Sequence, residues 1–212
     1  YPSCMMMVPA SMKITVSHIQ QMTCHVYSVH ARYIASDVPS TSGIRLSIMN
    51  EVFVPLVHSS PTSLLFSRQS LAHMQRDEAQ ISNIKRGGYI LLDAEGEPDA
   101  IIIATGSVVE MAMNTAIKLN AEGKKIRVVS MPSTNLFDQQ DDAYKETVLP
   151  NNCRMRVAVE AGVTEYWRKY IGLDGVALGV DTFGESAPAN EVYKYFGLTE
   201  ENLIKTVNEL IK

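Results

Sequence analysis

The sequence predicts a three-layer α/β/α sandwich on a mainly parallel, mixed sheet across residues 86–212. Three observations predict it. Short β-branched runs alternate with helical stretches over that span, and the helical stretches carry capping and stop residues. Each crossover helix must then pack back onto the sheet, which covers both faces.

Taken in order, Ser63-Leu64-Leu65-Phe66 reads as a short buried strand that stops at the polar Ser67-Arg68-Gln69. Arg76 to Lys85 is polar and reads as a linker or short helix leading to Gly87-Gly88. Tyr89 to Leu92 and Ala100 to Ala104 read as strands, separated by the turn-rich Asp93-Ala94-Glu95-Gly96-Glu97-Pro98-Asp99. That spacing predicts a hairpin, which adds one antiparallel member to the sheet.

Ser107 followed three residues later by Glu110 is a capping-box pattern. Val108, Met111, Ala112, Ala116 and Leu119 recur at helical spacing until Gly123. Ile126 to Met131 is a strand ending at Pro132, and Phe137 to Leu149 is a mostly polar helical region ending at Pro150. Met155 to Ala161 is the next strand, Thr164 to Ile171 a short helix and Val176 to Val180 the last strand. Two closing helices begin at Pro188 and Thr199. Thr199 can cap the second, with Glu200 and Glu201 placed against its N-terminal dipole.

Residues 1–60 differ from this pattern. They hold only five formal charges (Lys13, Arg32, Asp37, Arg45, Glu51), yet four of the five histidines, six of the eleven methionines and ten serines. No stretch there keeps a clear apolar period of 3.6 or 2.0, so the regular domain is expected to fold alone and residues 1–60 to pack poorly.

At 212 residues the chain can hold one large domain, or one domain and the remnant of another. A net charge of −4 with 20% charged residues lacks the basic excess that neutralises nucleic-acid phosphates, so no nucleic-acid partner is expected. Apolar runs fall far short of the roughly 20 residues that span a bilayer, and the N-terminus lacks the pattern of a signal peptide. Cys4, Cys24 and Cys153 have neither metal-ligand nor redox spacing, which fits a reducing cytoplasm.

Several residues carry possible chemistry. Ala104-Thr105-Gly106-Ser107 joins a strand to a helix start, where backbone N–H groups could hold an anion, or form only a tight turn. His18, His25, His30 and His58 match no metal motif, and His73 stands five residues after Arg68. Glu160 and Glu185 fall where α/β proteins often place sites, but each could equally cap a helix or hold an interface. No catalytic residue is assigned. Arg68 follows an apolar strand directly, and its guanidinium suits bidentate binding of phosphate or a surface ion pair.

An ordered set of motifs now changes the reading. It comprises Pro61-Thr62-Ser63-Leu64-Leu65-Phe66-Ser67-Arg68-Gln69-Ser70-Leu71, Arg86-Gly87-Gly88-Tyr89, Ala104-Thr105-Gly106-Ser107, Val128-Val129-Ser130-Met131-Pro132 and Phe183-Gly184-Glu185-Ser186-Ala187-Pro188-Ala189. Together they closely resemble the transketolases over about residues 61–212. The resemblance implies that residues 1–85 are an incomplete remnant of the pyrimidine-binding domain and residues 86–212 the C-terminal domain. Arg68 matches the family arginine that binds the phosphate of the sugar substrate.

The intact enzyme that this resembles uses thiamine diphosphate and a divalent metal, magnesium or calcium, to pass a two-carbon ketol unit from a ketose phosphate to an aldose phosphate. It serves the pentose phosphate pathway as a cytoplasmic homodimer. The cofactor- and metal-binding regions of the family have no counterpart here, so this chain is expected to bind neither group and to be inactive alone. Upstream of Pro61 the family's His-Asp-x-Ile-Gly-x-Gly-Glu-Asp-Gly-Pro-Thr-His stretch is missing. Codons for Cys4-Met5-Met6-Met7 read one frame over allow His-Asp-Asp, which points to a shifted frame within residues 1–35. The alternative function is a non-catalytic α/β module for association or ligand sensing.

Overall fold

The computed structural model describes residues 24–30, 61–66, 71 and 74–212, the first two segments by their backbone. Strand β1 (Cys24–His30) pairs antiparallel with β2 (Pro61–Phe66), with Val26 opposite Leu64. The apolar run ending at Phe66 is thus a strand. β1 falls within residues 1–60, where no alternating apolar pattern marks it.

A five-stranded sheet organises residues 89–178: β3 (Tyr89–Leu92), β4 (Ala100–Ala104), β5 (Ile126–Ser130), β6 (Arg156–Val159) and β7 (Val176–Leu178), in the order β3-β5-β4-β6-β7. β5, β4, β6 and β7 run parallel, and β3 runs antiparallel to β5. One antiparallel member was expected, but its partner differs. β3 and β4 do not form a hairpin, because β5 lies between them. The seven residues 93–99 exceed a tight hairpin connection of about two to five residues and can step across one strand, roughly 10 Å.

Helices cover both faces, as a parallel sheet requires. In β4, Ile102 packs with α2 (Val109–Ala121) and α7 (Glu200–Leu210) through Ala112, Ala116, Leu119, Leu203 and Val207. Ile101 and Ile103 point to the opposite core, formed by α3 (Thr134–Asp138), α4 (Asp142–Val148) and α5 (Arg168–Ile171) through Phe137, Val148 and Ile171. Every residue of β4 is fully buried, and burying an isoleucine side chain contributes about 1.5–3 kcal/mol. The two remaining helices are α1 (Glu78–Asn83) and α6 (Ala189–Tyr195).

Local signals explain most element ends. Asp77 caps α1 in a reciprocal box with Gln80, so the polar stretch after Arg76 is a helix. The Thr199 side chain accepts from the Asn202 N–H at 3.3 Å and starts α7, as expected. The helical region expected over 137–149 holds the end of α3 and all of α4, and Asp141 starts α4 by accepting the Tyr144 N–H at 2.8 Å. The capping box expected at Ser107 is absent: a 3-10 turn, Gly106–Val108, precedes α2, and Ser107 makes no cap bond.

Among the described residues no helix is long and apolar enough to cross a membrane.

Candidate functional site

The four parallel strands end at one edge of the sheet, at Ala104, Ser130, Val159 and Leu178. β4 leads into α2 on one face, while its neighbour β6 leads into α5 on the other. Outgoing connections that leave adjacent strands on opposite faces open a crevice, and that is where α/β sheets hold ligands. Thr105-Gly106-Ser107 and Glu160-Ala161-Gly162 border it.

Glu160 stands directly after β6, and the Trp167 indole N–H donates to its Oε2 at 2.7 Å. Burial raises the Glu160 carboxyl above the ordinary carboxylate range, and the Trp167 hydrogen bond pulls it partly back. Such a carboxyl exchanges a proton nearer neutrality than a solvated one. Trp167 is held in turn between Tyr166 and Tyr170, at ring distances of 6.1 and 5.8 Å. The Tyr170 hydroxyl donates to Asp138, and burial followed by that carboxylate's charge pushes the phenol well up.

Ser107 shares a 2.7 Å hydrogen bond with the Tyr193 hydroxyl, which ties the turn after β4 to α6. Asp181, just beyond β7, accepts from the Thr164 N–H at 2.8 Å and from its hydroxyl at 2.7 Å. These two bonds hold the Asp181 carboxyl below its ordinary value. Glu185 is exposed in the following loop. The edge therefore brings Glu160, Ser107 and Asp181 to one end of the sheet, each in a bond that fixes a loop.

Arg68 and His73 lie outside the described residues, as do His18 and His58. His25 and His30 fall on β1. The motif Arg86-Gly87-Gly88-Tyr89 has a packing role: Gly87 adopts φ +84°, and a Cβ there would collide with the Ser133 carbonyl. Beside it the Arg86 guanidinium lies 4.2 Å from the centre of the Tyr144 ring, whose hydroxyl donates to the Gly88 carbonyl at 2.9 Å.

Two arginines, Arg127 buried and Arg156 half-buried, were not anticipated. Arg127, on β5, donates to Asp93 at 2.7 Å and to the carbonyls of Thr147 and Val148. Arg156, on β6, donates to the carbonyls of Cys153, Tyr170, Leu149 and Pro150. Asp93, the carboxylate partner of Arg127, lies 34 residues away, so no local sequence pattern marks that arginine, whereas the partners of Arg156 lie 3 to 14 residues from it.

Residues 87–199 match the family model described as the transketolase-like C-terminal domain. Transketolase 2 of Aliivibrio fischeri is 56% identical over 151 residues, covering 71% of this chain and 23% of that protein. Transketolase 2 of Escherichia coli is 49% identical over 154 residues, again with 23% of its length covered. Among solved structures, transketolase from Leishmania mexicana superposes with a TM-score of 0.68 at 35% identity, over 79% of this chain and 24% of that one. The Pichia stipitis transketolase complex with sedoheptulose 7-phosphate gives the same TM-score at 30% identity, over 78% of this chain and 24% of that one. The chain thus spans about a quarter of the length of these curated relatives. It belongs to the transketolase family, whose C-terminal domain it carries.

Proposed function

We propose that this chain is the C-terminal portion of a transketolase whose intact form moves a two-carbon ketol unit from a ketose phosphate to an aldose phosphate. The observation that carries the reading is 56% identity over 151 residues to a protein of which only 23% is covered. Residues 86–212 are the C-terminal domain in this proposal, and residues 1–85 the remnant of the pyrimidine-binding domain. Arg68 is the group that binds substrate phosphate, because a guanidinium offers a fixed, always-charged fork for its oxygens. The intact enzyme would act as a cytoplasmic dimer.

Thiamine diphosphate and its divalent metal would supply the electron sink of that reaction. Among the described residues no group of three or more His, Cys, Asp or Glu side chains could hold the metal ion. What these residues do is build the sheet edge and fix its loops. In this reading the family's cofactor- and metal-binding regions lie outside this chain, so the chain alone is inactive and its sheet serves the intact subunit as a docked domain.

A direct assay tests this. The purified chain, supplied with thiamine diphosphate and magnesium, is given xylulose 5-phosphate and ribose 5-phosphate. No sedoheptulose 7-phosphate should form. Turnover by the pure chain would overturn the placement of the catalytic groups outside it.

A further inference from the structure

Among the described residues five polar or charged side chains are buried, and three of them, Thr105, Ser130 and Ser133, stand at the carboxyl ends of β4 and β5 or in the turns that follow. Ser133 is already bonded, since its hydroxyl accepts the Leu136 N–H at the start of α3. Thr105 makes no cap bond to the turn it precedes, and the Ser130 hydroxyl has no hydrogen-bond partner among the described residues. Ser130 is 5% exposed. A buried hydroxyl without a partner is destabilising, and native folds keep few of them.

The direction of Ser130 follows from its strand. Side chains alternate along β5: Val128 packs into the core beneath α2, whereas Val129 and Met131 pack into the opposite core. Ser130 therefore faces α2. Its ladder partner is Ala104, the last residue of β4, one strand spacing or roughly 5 Å away. From Ala104 the chain turns through Gly106–Val108 directly into α2, a helix of 13 residues whose N-terminal dipole end is positive. The first N–H groups of a helix have no partner within it, and neither Thr105 nor Val108 supplies a side-chain cap. A buried hydroxyl is thus aimed at uncapped N–H groups.

Charges on this face set the kind of ligand. Tyr89, opposite Ser130 on β3, packs its ring into the same core, and its hydroxyl accepts from Arg76 Nε at 2.7 Å, which brings a guanidinium to the α2 side of the sheet. Glu110, in the first turn of α2, works against an anion, so neutral donors must carry most of the contact. We infer that the start of α2 holds a phosphate group, free or esterified, on the N–H groups of Gly106–Val108 and the hydroxyl of Ser130. The inference is independent of the proposed function and of Arg68.

The test follows the amides of Gly106 and Ser107 by NMR in the present chain as inorganic phosphate, ribose 5-phosphate and ribose are added in turn. Both phosphates should shift these amides saturably, and ribose should leave them in place. Tighter binding of the ester or of the free ion identifies the source. Ser130→Ala should weaken phosphate binding at least about tenfold, as loss of one hydrogen bond to a charged group does. It should leave the melting temperature unchanged or raised, since the hydroxyl that it removes has no partner in the fold. Arg68→Ala should leave the response of these amides unaltered. The inference falls if phosphate leaves both amides in place, if Ser130→Ala binds as the parent does, or if Arg68→Ala abolishes the response. It falls also if Ser130→Ala melts lower, because the hydroxyl would then have a structural partner. No readout uses ketol transfer, so failure here leaves the proposed function standing.

Discussion

The indole N–H of Trp167 donates to the carboxylate of Glu160 at 2.7 Å, across the carboxyl end of β6. Trp167 is the only tryptophan of the chain and is 2% exposed. One bond thus joins a strand end to the 3-10 turn that leads into α5, with the rings of Tyr166 and Tyr170 packed against the indole.

That relationship has a pH signature. Burial raises the folded-state pKa of Glu160 above its unfolded value of about 4.3, so folding takes up a proton between the two values. Below the unfolded value both states are protonated and burial costs nothing. As pH rises through the folded value the charged form is disfavoured, and stability falls. Glu160→Gln keeps an oxygen acceptor for the indole and removes the titration. Urea unfolding followed by Trp167 fluorescence should show the variant at least as stable as the parent at pH 8 and relatively less favoured at pH 4.5. Stability curves that stay parallel across this range would show that Glu160 does not titrate in it.

Gly87 and Gly123 separate backbone strain from collision. Both adopt a φ between 84° and 87°, where an L side chain costs about 1–2 kcal/mol. A Cβ at Gly123 meets nothing within 4 Å, whereas one at Gly87 meets the Ser133 carbonyl and the Leu136 Cβ. Gly123→Ala should therefore cost only about 1–2 kcal/mol. Gly87→Ala should cost about 2–4 kcal/mol, because overpacking against backbone adds to the strain. Chemical denaturation of the two variants side by side checks the order, and equal losses would discount the collision.

Arg156 bonds four carbonyls with one guanidinium, at 2.7 to 3.1 Å. Burial lowers its pKa, yet the group stays charged at any ordinary pH. Its removal orphans the carbonyls that close the segment 149–153 and the end of α5. Arg156→Met should cost about 2–4 kcal/mol, since hydrogen bonds to a charged group are worth about 1.5–3 kcal/mol each and some are regained with water. Arg156→Lys should recover only a part, because an ammonium cannot span the same four acceptors. Full recovery by lysine would reduce the residue's role to charge alone.

How far these features could be read in advance depended on how local they are. The run from Ala100 to Ala104 announces a strand, and Thr199 announces a helix start, because each signal lies within a few residues. Strand neighbours were less legible. Asp93 to Asp99 is rich in turn formers whether the chain reverses beside β3 or steps across β5, and only the pairing of Tyr89 with Ser130 distinguishes the two. Ser107 and Glu110 have capping-box spacing, yet the hydroxyl of Ser107 bonds Tyr193, 86 residues away. Glu160 was recognisable as a carboxylate at a strand end, but its raised pKa comes from burial and from an indole whose direction no spacing predicts. The phosphate-binding role proposed for Arg68 rests on family resemblance, beyond the chemistry of a guanidinium after an apolar strand.

Arg68 carries the last prediction. It follows β2, which ends at Phe66, and itself lies outside the described residues. An apolar strand that ends in Ser-Arg-Gln delivers a charged fork to the end of a sheet, where ligands of α/β proteins usually sit. If that fork holds the substrate phosphate, its loss must discriminate between phosphorylated and unphosphorylated sugars. In an intact transketolase with the same motif, replacing this arginine by alanine should raise KM for sugar phosphates by roughly ten- to a hundredfold, the equivalent of one charge-assisted contact of about 1.5–3 kcal/mol. KM for an unphosphorylated acceptor should change little. The comparison of the two substrate types is the informative one, because a structural arginine would weaken both equally, and equal losses would end the assignment of this residue to phosphate.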